Sequence, residues 1–233
     1  RENFFIVAVH CSHPAATCFC VSTGDGPRAT RGFDMALSEL DSGFVAEAGS
    51  VRGQVLLDAL GCPAAAAEQI AQAEDEIAHA ARSQSRRLPG RNLRDVLFAN
   101  LEHPRWEEVA ERCLSCGNCT SVCPTCFCSS ATATDGGSTG NAGAISSASE
   151  QPSLDGCDAE HSREWDSCFT RGHSYIHGVV VRSETRTRYR QWLTHKLGSW
   201  HEQYGRSGCV GCGRCVTWCP TGIDITEEAT AIC

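Results

Sequence analysis

The sequence predicts an α+β chain, with a mixed N-terminal unit, a helical connector, and a mainly helical C-terminal domain carrying a long insertion. Three observations predict it. The apolar run FFIVAV at residues 4–9 has the length of one buried strand. The run PAAAAEQIAQAEDEIAHAAR at residues 63–82 is rich in alanine, with proline tolerated in the first turn, and reads as a strong helix. The stretch CLSCGNCTSVCP at residues 113–124 recurs as CVGCGRCVTWCP at 209–220, identical at six of twelve positions and in every cysteine spacing.

Each element follows in order. After the first strand, the loop HCSHPAATCFCVSTGDGP leads into GFDMALSELDSGFVAEAG, which mixes a short helix with another strand and closes an α+β unit over residues 1–62. Residues 63–112 form the connector, where the alanine-rich helix is followed by two shorter ones, RNLRDVLFANLEH and PRWEEVAERC, the last delivering Cys113. Residues 113–233 are the C-terminal domain. Within it, residues 129–153 are almost devoid of large apolar side chains and read as a flexible surface insertion. The stretch ETRTRYRQWLTHKLGSWHEQY then sets Tyr189, Trp192, Leu193, Leu197, Trp200 and Tyr204 at helical spacing. That apolar face packs inward, and the face bearing Arg182, Arg186, Arg188 and Arg190 stays wet.

At 233 residues and 41% hydrophobic, the chain is long enough to bury a core without disulfides. Its 17 cysteines therefore need a chemical reason. The count is odd, the spacings are mostly two or three residues and no signal peptide is visible, so reduced, metal-binding thiols in the cytoplasm are expected. A net charge of −8 gives no pull toward nucleic acid. No apolar run approaches the roughly 20 residues that span a bilayer.

The spacing C-x2-C-x2-C-x3-C-P is that of bacterial ferredoxins, in which three close thiolates wrap one face of a 4Fe–4S cube and the fourth ligates the other cube. Structural zinc takes two separated C-x2-C pairs and fits a tandem triplet poorly. The C-terminal domain is accordingly expected to be ferredoxin-like, with two 4Fe–4S clusters. Crossed ligation assigns Cys113, Cys116, Cys119 and Cys219 to one cluster, and Cys209, Cys212, Cys215 and Cys123 to the other. The crossing demands that the motifs meet although 85 residues separate Cys123 from Cys209. Gly117 and Gly213 occupy matching places, where a missing side chain would let backbone N–H groups approach cluster sulfurs.

Six cysteines crowd residues 113–128, and two of them, Cys126 and Cys128, lie outside the quartets. With Cys168, and with Cys11, Cys18 and Cys20 near the N-terminus, they are candidates for a third metal site, against the blander reading of buried thiols acting as small hydrophobes. A C-x-C in extended chain sends its side chains to opposite faces, so a turn is needed for both to grip one metal. Cys62, Cys157 and Cys233 read as incidental. His173 and His177 stand four apart in GHSYIHG, but the flanking glycines read as a short turn and no Glu follows His173 as in zinc hydrolases. Nucleophile-elbow, P-loop and dinucleotide motifs are absent from the sequence.

The set FFIVAVHC, TCFCVSTG, FVAEAGS, LEHPRWEEVAERCLSCGNCTSVCPTCFC, WDSCF and GCVGCGRCVTWCPTGIDI resembles the 4Fe–4S dicluster subunits of sulfhydrogenase-type nickel–iron hydrogenases (the beta subunit) and of anaerobic sulfite reductase. The resemblance implies an electron-carrying subunit between a flavin subunit that binds NAD(P) and a catalytic subunit, with no bond chemistry of its own. It also implies further sequence ahead of Arg1 and an insertion longer than the family pattern. Two other classes compete with it: an autonomous thiol/disulfide oxidoreductase using the extra cysteines beside a cluster, and a zinc-stabilised interaction module.

Overall fold

The structure, a computed structural model, describes residues 3–90, 92–134 and 160–233. Its contacts divide the chain into two units, Arg1–Gly90 with Cys209–Gly213, and Arg91–Gly208 with Arg214–Cys233. The α+β class holds, with small sheets accompanying a mainly helical second unit.

In the first unit, β1 (Val7–Val9) pairs parallel to β2 (Met35–Leu40), which pairs antiparallel to β3 (Gly43–Ala48). A short helix, α1 (Cys20–Thr23), lies in the cysteine-bearing loop. The apolar run expected as a buried strand is different in detail. Only Val7–Val9 is strand, and Phe4 and Val9 are 68% and 61% exposed, because β1 is an edge strand with a single neighbour. Asp34, itself buried, ties the unit together by accepting from the Ile6 N–H at 2.9 Å and from the Ser50 hydroxyl at 2.7 Å. Ser50 caps α2 (Val51–Leu60) by accepting from the Gly53 N–H at 3.2 Å. The alanine-rich stretch forms α3 (Ala67–Arg82), which turns Ala73, Ile77 and Ala80 inward and packs on β2 and β3.

The second unit opens with α4 (Leu93–Ala99) and α5 (Arg105–Arg112), as the sequence leads one to expect. Two one-turn helices carry the third cysteine of each triplet, α6 (Asn118–Ser121) in the first copy and α9 (Arg214–Thr217) in the second. Ser129–Thr134, expected as loop, is instead a strand, β4, paired antiparallel with β5 (Glu160–Trp165). Most of the anticipated insertion, and Cys157, lie outside the described residues. A single 3-10 turn, Arg171–Ser174, precedes the small hairpin of β6 (Tyr175–Ile176) and β7 (Val179–Val180).

The aromatic stripe forms α7 (Thr185–Thr194), a π-helical turn (His195–Ser199) and α8 (Trp200–Tyr204). Tyr189, Trp192, Leu193 and Leu197 are buried, while Tyr204 is exposed at the end of the stripe. The arginine face is not uniformly wet. Arg188 is buried, donating to the Arg182 and Ser183 carbonyls at 3.1 and 2.7 Å, and Arg190 reaches the Leu101 carbonyl and Glu102. A helix packed on α5 puts part of its polar face against backbone carbonyls that need donors.

The final helix, α10 (Ile225–Ile232), is capped by Asp224, which accepts from the Thr226 N–H at 2.9 Å. It carries Glu228, whose side chain is fully buried and accepts from Arg105 Nε at 2.6 Å and from an Arg112 guanidinium nitrogen at 2.6 Å. Both arginines lie on α5 and keep part of their surface in water, whereas the carboxylate does not. Removing an arginine therefore strands a buried anion, and Arg105→Ala is expected to lower stability by about 3 kcal/mol. Glu228→Gln leaves two cations free to rehydrate and should cost less. Urea unfolding of the two variants checks the order; equal losses would refute it.

Candidate metal centre

Backbone geometry makes the two cysteine copies equivalent. Ser115 and Gly211 follow the first cysteine by two residues and both lie in the left-handed region, at φ 51° and 64°. Gly117 and Gly213 do so again at φ 77° and 68°. Alternating right- and left-handed residues turn successive N–H groups toward one point, the concavity that cradles anionic iron–sulfur groups. Ser115 occupies this region with a side chain, held by Thr185 Oγ1 at 3.0 Å and Arg188 at 3.2 Å.

In the second unit, α5 delivers Cys113, α6 carries Cys119, and the turn before α10 carries Cys219. Cys113, Cys116, Cys119 and Cys219 line one cavity together with Phe169 and Tyr189, and Cys215, expected in the second set, lines it as well. Three of these five cysteines come from the first copy and two from the second, and α6 packs against α9. Burial pushes the Cys119 thiol well up, and the nearby Cys215, Cys113, Cys116 and Cys219 push it further. Such a crowd of thiols ionises together only if cationic metal supplies the compensating charge. At Cys219 burial also raises the thiol, but the Thr221 hydroxyl and the Ile223 N–H, 3.3 Å from Sγ, outweigh it and leave the group below its ordinary range.

The donor set fits a 4Fe–4S cube on a second count. Tyr189 Oη and Trp192 Nε1 are buried without a hydrogen-bond partner, and both residues line this cavity. Unpaired buried donors cost about 1–3 kcal/mol each, and sulfur acceptors of a cube in the cavity would satisfy them. Burial raises the Tyr189 phenol far above its usual range, so it stays protonated as a donor.

The second predicted set draws on both units, Cys209 and Cys212 from the first and Cys123 and Cys215 from the second. Cys209 is buried and accepts from the Gly211 N–H at 3.4 Å. The Cys123 thiol is lowered by the hydrogen bond shared with Cys126 and by the charge of Lys196, which is buried on the π-helical turn and donates to Thr125 Oγ1 at 2.9 Å. Gly213 serves a purpose that spacing alone does not reveal. A Cβ there would stand 2.1 Å from the Thr17 carbonyl oxygen, so the glycine admits the cysteine loop rather than only a sulfur.

Cys11, Cys18 and Cys20 gather in the first unit, where Cys18 Sγ approaches the Cys212 carbonyl at 3.7 Å and Gln84 Nε2 donates to Cys20 Sγ at 3.1 Å. Cys126, Cys128 and Cys168 gather in the second, with a histidine that sequence reasoning passed over. His173 lies on the 3-10 turn with Nδ1 2.9 Å from Asp166 Oδ2, and its ring hydrogen-bonds Cys128. Those two bonds, the one to Cys128 first, raise His173 to about 9. The Cys128 thiol is lowered by its bonds to Cys168 and His173, and Cys168 is raised in turn. The local sequence GHSYIHG carried no signal for this pairing. Cys62 is exposed and outside these groups.

Two family models, each described as a 4Fe-4S dicluster domain, match residues 112–223 and 62–127. The chain is 31% identical over 232 residues to the sulfhydrogenase 2 subunit beta of Pyrococcus furiosus. The match takes in 96% of this chain and 61% of that protein, so the chain spans about three-fifths of the relative's length. No solved structure matches the chain significantly.

Gly213→Ala is expected to destabilise the first unit severely, since left-handed backbone alone costs alanine about 1–2 kcal/mol before any clash with Thr17. Gly172→Ala, with nothing within 4 Å of its Cβ, is the control and should leave the melting temperature unchanged. Similar melting temperatures for both variants would refute the packing role.

Proposed function

Because two 4Fe-4S dicluster domain models match the chain and it is similar to a sulfhydrogenase beta subunit, we propose that it is an electron-transfer subunit with two 4Fe–4S clusters. It relays single electrons between a flavin subunit that binds NAD(P) and a catalytic subunit of hydrogenase or sulfite reductase type. One observation carries the reading: five cysteines drawn from both copies of the motif, the four of the first set and Cys215, line one cavity beside unpaired buried donors. A 4Fe–4S cube takes up or gives back one electron at a time. The protein holds it by Cys113, Cys116, Cys119 and Cys219, and holds the second by Cys209, Cys212, Cys215 and Cys123.

The surrounding side chains set the environment of that electron. Trp106, Phe169, Tyr189 and Trp192 form a buried aromatic wall, with Tyr189 and Trp192 ring centroids 5.5 Å apart, that keeps water from one side of the cavity. Tyr189 and Trp192, whose buried donors have no protein partner, would donate toward cluster sulfur and so would favour the reduced, more negative state. Arg188 adds positive charge near Cys113. Among the described residues no helix is long and apolar enough to cross a membrane.

Anaerobically prepared protein should hold about eight iron and eight labile sulfides from these two sites. Half that content, or stoichiometric zinc, defeats the proposal. Cys219→Ala is expected to remove the cluster based on the Cys113 triplet and spare the Cys209 cluster; spectra in which only the latter is lost contradict the crossing. Tyr189→Phe should lower the midpoint potential of the first cluster with its iron retained, as read by an electron paramagnetic resonance (EPR) redox titration, and an unchanged or raised potential counts against the donor role.

A further inference from the structure

The β4–β5 register assembles a donor group that neither ferredoxin set uses. Ser129 faces Trp165 at the foot of the hairpin, so Cys128 falls opposite Asp166, whose N–H donates to the Cys128 carbonyl at 3.0 Å. Cys168 lies two residues beyond Asp166 and its thiol bonds that of Cys128, while Cys126 lies two residues before Cys128. A turn closed by a 3.3 Å backbone bond from Cys126 to Cys123 leads into the C-x-C, and Cys126, Cys128 and Cys168 line one cavity. His173 lines it too, and with Nδ1 committed to Asp166, Nε2 is the nitrogen left for a metal.

We propose that Cys126, Cys128, Cys168 and Nε2 of His173 are the four ligands of a third iron–sulfur cluster, contained wholly within the second unit. A carboxylate holding the far nitrogen of a ligating imidazole is the usual means of fixing its tautomer and orientation. Asp166 is itself anchored by the Ser167 N–H at 2.7 Å. Three thiolates with one imidazole suit iron–sulfur or zinc. Among the described residues no three His, Cys, Asp or Glu donors converge where a single ion would touch them all. The site's place beside the first set is what favours a cluster over one zinc ion. The cavity shares Trp192 with the cavity of the first set, and Cys168 lies close enough to Cys119 to feel its charge. The third cluster thus adjoins the first and lengthens the relay, a role that rests on the electron-transfer reading; the site itself does not. Imidazole in place of a thiolate removes negative charge, so this member is the easiest of the three to reduce.

The test uses the full chain, anaerobically loaded with iron and sulfide, with natural or 15N-labelled histidine. Wild type should carry about twelve iron, and pulsed EPR of the partly reduced sample should show a strongly coupled histidine nitrogen in the first cluster to be reduced. His173→Ala should lose that coupling and about a third of the iron, and His173→Cys should regain the iron without the coupling. Serine variants of Cys11, Cys18 and Cys20 should change neither. Iron near eight in wild type, zinc at the site, coupling that survives His173→Ala, or iron lost on changing Cys11, Cys18 or Cys20 in place of His173 would each overturn the proposal. Its failure separates from that of the relay. Iron near eight that disappears with the Cys113 and Cys209 triplets leaves the relay standing, and about four iron dependent only on Cys128 leaves the third site standing without it.

Discussion

The buried carboxylate of Glu228 is the constraint on which the second unit depends. It closes α10 onto α5 through Arg105 and Arg112, and those two helices flank the first and last cysteines of the first set. Cys113 leaves the C-terminal end of α5, and Cys219 lies a few residues ahead of α10. A charge withdrawn from water is tolerated only with its partners in place. The same bonds that satisfy Glu228 therefore hold Cys113 and Cys219 at one cavity across more than a hundred residues of chain.

Packing completes what that ion pair begins. Trp106 is fully buried and donates from Nε1 to the Asn100 carbonyl at 2.8 Å, setting the aromatic wall formed with Tyr189, Trp192 and Phe169. Tyr189 and Trp192 enter this wall with their polar atoms unpaired. In a native core such buried atoms ordinarily have partners, and crowded thiols ionise together only beside a cation. Metal bound at such a set of thiols would couple its binding to folding.

Much of the site was legible because it is local. Cysteine spacing and the glycines after the second cysteine of each triplet specify a backbone path, and the equivalent φ values at Ser115 and Gly211 and at Gly117 and Gly213 follow that path. Helices α3, α4, α5 and α7 were legible for a similar reason, since their apolar periodicity and flanking residues lie within a few turns of chain. The FFIVAV run was misleading: hydrophobicity predicts burial, but among the described residues β1 pairs with β2 alone, and Val9 on it and Phe4 ahead of it are exposed.

By itself the sequence determined the twofold cysteine repeat and its match to 4Fe-4S dicluster domains, because cysteine spacing is read along the chain and needs no knowledge of the fold. Tertiary structure alone decided three other matters. It buried Arg188 against backbone carbonyls, where helical periodicity placed it in solvent. It gave Gly213 the task of admitting the Thr17 carbonyl. It also carried Cys168 and His173 to Cys128 through the register of β4 on β5. Each rests on contacts between residues far apart in the chain, where neither periodicity nor spacing carries a signal and where packing and hydrogen-bond satisfaction choose the partners.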